Sequence, residues 1–140
     1  MAASAASLTV PGELPQIPRI RHWLKGVLAA RRLSANDVSD LSLAVAEICT
    51  NIVRHGYGSG GGGDIEIQVT SQEDAVHVVI LDRAPPFSPD RIEVPPPDEL
   101  REGGYGLALA RSVVDDMRFE HAPGRNRTIL VKRERQGSDA

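Results

Sequence analysis

The sequence predicts an α+β fold, a two-layer sandwich in which helices cover one face of a mostly antiparallel sheet. Three observations carry that expectation. Two helically periodic segments follow one another without an intervening strand, and the β-rich segments after them come in adjacent pairs, as hairpins do. The chain has 140 residues, 41% of them hydrophobic and 25% charged, enough for one core and too few for two. A single domain over residues 1–140 is therefore expected, with flexible tails at about residues 1–7 and 134–140.

Leu8 to Val10 is a short β-prone run, and Pro11, Gly12, Pro15 and Pro18 then turn the chain. From Pro18 to about Arg32 the apolar residues Ile20, Trp23, Leu24, Val27 and Leu28 recur at spacings of three and four, the mark of one buried helical face. That face is expected to cover the sheet rather than to meet a partner. Ser34, with Asp37 three residues on, forms a capping-box pattern with a shorter acid. It opens a second helix with Leu41, Val45, Ile48 and Ile52 on one face, running to about His55 or Gly56.

Gly58 to Gly63 resembles a phosphate loop only superficially. It lacks a Lys-Ser or Lys-Thr ending and precedes a strand where a P-loop precedes a helix, so it reads as a flexible connection. Ile65–Thr70 and Val76–Leu81 form a hairpin around the polar cluster Ser71-Gln72-Glu73-Asp74. Six prolines between Pro85 and Pro97 then mark a loop of about twenty residues, a length usually reserved for a lid or binding loop. Leu107, Leu109, Ala110, Val113 and Val114 give a third helix from near Gly106 to about Asp115–Met117. Arg118–His121 and Thr128–Lys132 make a last hairpin, turned by Pro123-Gly124-Arg125-Asn126.

The formal charge of −3 is mixed in sign, leaving no basic field to hold a nucleic-acid backbone. Cys49 is the one cysteine, so no intramolecular disulfide forms, which favours a reducing cytosol. Met1 to Ser7 carries neither a positive charge nor an apolar run, so neither a signal peptide nor a membrane span is expected.

Three features bear on chemistry. Glu47, Asn51 and His55 are four apart on the second helix, offset from one another by only about 40° around its axis, and so make one polar stripe. Such a stripe is either a solvated face or the wall of a site; the apolar and small neighbours from Ile48 to Val53 favour a site. Asp82 ends the apolar strand Val76–Leu81, where an acid is either a turn former or an acceptor for an exocyclic amine such as adenine's. Gly103-Gly104-Tyr105-Gly106 precedes a helix, whose free N–H groups and positive dipole end suit phosphate oxygens, although a short glycine run also serves as a hinge.

In this order, the features resemble the GHKL ATPase superfamily and, within it, the bacterial anti-sigma factor serine/threonine kinases. Glu47–Tyr57 is similar to that family's N-box, Asp82–Pro89 to its G1 box, Gly103–Leu109 to its G2 box and Gly124–Thr128 to its last hairpin. The resemblance runs from about residue 8 to 133 and implies the Bergerat form of the sandwich, with an ATP lid. It also implies roles. Asn51 holds Mg²⁺, Asp82 binds the adenine amine, Thr128 assists there, and Gly104, Tyr105, Gly106 and Leu107 lie along the phosphates. Glu47 is the general base or orienting group for the attacking hydroxyl. His55 is either a phosphate contact or a solvent-facing histidine. Ala84 stands where the family has Gly two residues after the G1 aspartate, which implies a slightly tighter adenine pocket.

The function so implied is a cytoplasmic anti-sigma factor that binds ATP or ADP with Mg²⁺, sequesters a sigma factor and phosphorylates a serine or threonine of a STAS-type antagonist. A homodimer is also implied. The alternative is a non-catalytic module of the same fold in which nucleotide orders a partner-binding surface. The catalytic half of a histidine kinase is disfavoured, because His22 lies on one short helix and not on a dimerisation hairpin.

Overall fold

The computed structural model describes residues 5–58, 62–84 and 106–135, with Gly106, Leu107 and Leu109 described by their backbone alone. Five strands form one sheet in the order β1-β2-β3-β5-β4, and every neighbouring pair is antiparallel. They are β1 (Ala5–Pro11), β2 (Asp64–Gln72), β3 (Ala75–Asp82), β4 (Asp116–Ala122) and β5 (Arg125–Arg133). Helices α1 (Ile17–Ala29), α2 (Ala35–Asn51) and α3 (Gly106–Val113) complete the expected two-layer sandwich, with α2 packed between α1 and α3.

Alternation along the strands decides which face is covered. Ile65, Ile67 and Val69 of β2 are buried, as are Val76, Val78 and Ile80 of β3 and Leu130 of β5. Against them lie Ile20, Leu24 and Leu28 of α1 and Leu41, Val45, Ile48 and Cys49 of α2, forming one continuous core. A fully buried aliphatic side chain contributes about 1.5–3 kcal/mol, so this layer contact dominates the stability of the domain.

Several boundaries and details depart from the sequence expectation. The first strand begins at Ala5, not Leu8, because the β2 edge pairs with it through Ala5↔Thr70 and Ala6↔Val69, and small residues of low strand propensity are held by that ladder. At the other end Glu134 N donates to Asp74 O and Arg135 N to Arg32 O, so the chain stays tied down beyond Arg133. Only part of the apolar stripe of α1 is core. Ile20, Leu24 and Leu28 are buried, whereas Trp23 and Val27 are half-buried at the rim, lining an open groove with Leu8. The second helix does not run uniformly to Gly56 either. After Asn51 it widens into a π-helical turn, Ile52–Gly56, closed by Tyr57 N donating to Ile52 O at 3.0 Å.

Tyr57 accounts for part of the glycine-rich connection. A Cβ on Gly12, Gly62 or Gly63 would lie within 3.0 Å of Tyr57 ring or hydroxyl atoms, so these glycines let backbone close over the ring. Gly12 N also donates to Gly63 O at 2.7 Å. The described end of this segment is thus packed rather than a bare linker; residues 59–61 lie outside the described residues.

Candidate functional site

The strand β3 emerges from the core at Asp82, which is 3% exposed. Its carboxylate is held by a cross-strand arrangement. Asp82 lies opposite Asn126 on β5, and Asn126 lies opposite His121 on β4, so the three form one row across three strands. Asp82 Oδ1 accepts from Ala84 N at 2.9 Å and from Asn126 Nδ2 at 2.9 Å. Among the described residues nothing donates to Oδ2, which leaves one acceptor on an otherwise fixed carboxylate. Thr128, two residues beyond Asn126 and 4% exposed, lies on the same helix-facing side of β5.

The segment after Asp82 is anchored from a second direction. Tyr57 Oη accepts from Arg83 N at 2.7 Å and donates to Asp64 O at 2.9 Å. Burial pushes the Tyr57 phenol up from its ordinary range. The methyl of Ala84 packs on Gly56, where an added Cβ would come within 2.3 Å of it. The alanine at this position therefore packs against the π-turn. Beneath Asp82, burial pushes the Cys49 thiol far above its usual range, and the Asp82 charge adds to the effect.

On α2, Asn51 is 6% exposed, and its carboxamide makes no hydrogen bond among the described residues. An amide oxygen is the kind of donor Mg²⁺ takes, commonly one or two from the protein with waters and phosphates supplying the rest. Glu47, one turn earlier, is half-buried. It lines a groove of about 350 Å³ between α1 and α2, together with Arg21, His22, Lys25 and Thr50. His55 is exposed on the π-turn, so the stripe passes from half-buried Glu47 through buried Asn51 to a solvent-facing His55.

The structure thus ties Asp82 and Ala84 together, places Thr128 on the same face of the sheet opposite Ile80, and keeps Glu47 and Asn51 on α2. Gly106 and Leu107 begin α3, where first-turn N–H groups lack intrahelical partners. Gly104 and Tyr105 lie outside the described residues, as does the proline-rich lid. Sequence reasoning missed Asn126 as a site residue, reading it only as part of a turn. Its parity with Thr128 along β5 was the available signal.

An antiparallel sheet with helices on one face, a buried acid at a strand end and a polar residue on the adjoining helix is an arrangement of the histidine kinase-like ATPase class. Residues 10–132 match the histidine kinase-like ATPase domain family, and the chain belongs to it. Serine-protein kinase RsbW of Oceanobacillus iheyensis is 31% identical over 125 residues, covering 84% of this chain and 79% of that protein. Serine-protein kinase RsbW of Staphylococcus aureus is 32% identical over 126 residues, with 84% and 79% covered. Within the ATPase family the chain is thus a member of the RsbW group of serine-protein kinases.

The RsbU and RsbW domains of a Mycobacterium tuberculosis protein superpose with a TM-score of 0.67 at 23% identity, covering 94% of this chain and 32% of that one. That likeness establishes the fold. Among the described residues, no helix is long and apolar enough to cross a membrane.

Proposed function

We propose that the chain is an anti-sigma factor kinase. It binds Mg-ATP, holds a sigma factor, and transfers the γ-phosphoryl group to a serine of a STAS-type antagonist. The observation that carries the nucleotide half is Asp82: a buried carboxylate whose Oδ1 is saturated by two N–H donors while Oδ2 is left for an amine such as adenine's. Thr128, buried on the same face of the sheet and opposite Ile80, is assigned to assist there. Ala84, anchored on Gly56, shapes the same end of the pocket, while Gly106 and Leu107, at the start of α3, with Gly104 and Tyr105 preceding them in sequence, are assigned to the phosphates. Asn51 would supply an oxygen to Mg²⁺, and that ion would neutralise phosphate charge.

In the transfer itself, Glu47 holds the acceptor hydroxyl and takes its proton as the serine oxygen bonds to the γ-phosphorus. The bond from that phosphorus to the β,γ-bridging oxygen breaks, and ADP leaves with the electron pair. Membership of a serine-kinase group and the placement of Glu47 in a groove one turn from Asn51 support this over a purely binding role. His55, exposed, acts on phosphate only if it swings inward, so no step is assigned to it. Partner switching between sigma factor and antagonist follows from the resemblance, as do a cytoplasmic setting and a homodimer. The half-buried Leu8, Trp23 and Val27 give such a dimer an apolar rim to cover.

The test incubates purified protein with Mg-ATP and the antagonist and measures phosphoserine by intact-mass shift. Wild type is expected to add one phosphoryl group, whereas Glu47→Ala retains nucleotide and sigma binding but slows transfer by roughly 10²–10⁴-fold. Nucleotide binding by wild type without any phosphorylated antagonist would leave only the non-catalytic module.

A further inference from the structure

We infer that Asn126 is a positioning residue for base recognition, working through Asp82 and itself held by His121. The inference rests on the reading above, that Asp82 meets the exocyclic amine of adenine, and adds the device that aims it. Asn126 Nδ2 lies 2.9 Å from Asp82 Oδ1 and 2.7 Å from Ala84 O, so both of its hydrogens go to oxygen acceptors. Its Oδ1 lies 2.9 Å from His121 Nδ1.

These contacts fix the amide orientation. A flipped amide would point its oxygen at a carboxylate and a carbonyl, neither of which can donate. With Oδ1 as acceptor, His121 Nδ1 must be the donor, so the imidazole carries a hydrogen there. His121 is exposed on the edge strand, while Asn126 is 6% and Asp82 3% exposed. An accessible side chain therefore sets the hydrogen-bond sense of a buried row.

The consequence for Asp82 is rotational. With Ala84 N and Asn126 Nδ2 both on Oδ1, the carboxylate is pinned from two sides, and Oδ2 is the oxygen left for ligand. Without Asn126 one pin is lost and the carboxylate has more freedom to turn. Preorganised acceptors discriminate strongly against a ligand lacking the matching donor, and a loose acceptor does not. The expected loss is therefore in selectivity for a 6-amino over a 6-oxo purine, beyond any general loss of affinity.

The experiment measures dissociation constants for ATP and for inosine triphosphate, with Mg²⁺, by calorimetry. Wild type, Asp82→Ala, Asn126→Ala, His121→Ala and His121→Gln are compared, with thermal unfolding recorded for each. Wild type should prefer ATP and Asp82→Ala should lose the preference; if either fails, base recognition by Asp82 is wrong and the inference falls with it. Given that result, Asn126→Ala should cut the ATP preference by about ten-fold, the scale of one hydrogen bond to a charged group. His121→Ala should cut it by a smaller factor, and His121→Gln, which restores an N–H donor, should recover it. An unchanged ATP-to-inosine-triphosphate ratio in both Asn126→Ala and His121→Ala overturns the positioning role. So does equal weakening of both nucleotides. Should Asn126→Ala fail to fold, His121→Ala and its Gln rescue decide alone, because His121 is an exposed side chain.

Discussion

Substituting Gly56 by alanine tests whether the π-turn and the segment after Asp82 are locked by steric fit. An ideal Cβ on Gly56 lies 2.3 Å from the Ala84 methyl, while the next contact, Ala84 Cα, is at an ordinary 3.6 Å. Carbon atoms settle at about 3.5–4.0 Å, so the overlap exceeds about 1 Å and comes from a single atom. Overpacking of this kind costs about 1–3 kcal/mol. Gly56 is not at a positive φ, so alanine suits its backbone and would otherwise stabilise by about 0.4–1 kcal/mol through the unfolded chain.

The sign should therefore reverse when Ala84 is first changed to glycine. Gly56→Ala alone is expected to destabilise by about 1–2 kcal/mol, net of that gain, and in the Ala84→Gly background to become neutral or slightly stabilising. The coupling between the two changes should reach about 1.5–3 kcal/mol, measured as a double-mutant cycle from urea unfolding midpoints. Nucleotide affinity should follow the same pattern, falling in Gly56→Ala and returning in the double variant, because the clash pushes on the residue that donates to Asp82 Oδ1. Equal effects of Gly56→Ala in both backgrounds would show that this contact does not set the fit.

Two further substitutions test other parts of the fold. The β2–β3 turn places Glu73 at φ 51 and Asp74 at φ 62, a left-handed pair that suits glycine and asparagine far better than glutamate. Glu73→Gly should raise stability by up to about 1 kcal/mol in urea unfolding, and a loss of stability would mean that the Glu73 side chain makes a contribution outweighing its backbone strain. Cys49 supplies a pH dependence. Its folded-state value is raised, so native thiol keeps its proton while unfolded thiol ionises, and stability is full below about pH 8.5 and falls above it. The slope tends toward about 1.4 kcal/mol per pH unit, and Cys49→Ala should flatten it between pH 8.5 and 9.5, before the Tyr57 phenol contributes. An unchanged slope in Cys49→Ala would place the alkaline sensitivity elsewhere.

Much of the fold was legible because its signals are local. Ser34 Oγ accepts from Asp37 N at 3.0 Å, so the capping pattern marked the start of α2 correctly. The apolar run Val76–Leu81 likewise delivers Asp82 to the end of a buried strand. What stayed hidden depends on pairing between distant segments. β3 pairs with β5 across more than forty intervening residues, and that register alone sets Asp82 opposite Asn126. Nothing in the spacing of residues 82 and 126 encodes it. The π-turn was equally hidden, because periodicity after Asn51 fits an α-helix and the widening appears only in the backbone bonding that closes at Tyr57. The seating of the Ala84 methyl on Gly56 was hidden by the same distance effect.

These hidden contacts converge on two residues, Arg83 and Ala84, and that convergence has a mechanical meaning. Arg83 N is tied to Tyr57, Ala84 N to Asp82, Ala84 O to Asn126, and the Ala84 methyl to Gly56. The chain leaving β3 is thus fixed by α2's extension, by β5 and by its own strand before the proline-rich segment begins. A carboxylate that must tell one purine from another needs its orientation set in advance, because an acceptor that reorganises on binding loses part of its selectivity. Glu47 has the opposite requirement. It is half-buried in an open groove, and in the proposed role it would have to admit a serine carried by another protein. On the proposed reading, the two acids differ in enclosure because one would read a small ligand and the other would meet a macromolecular one.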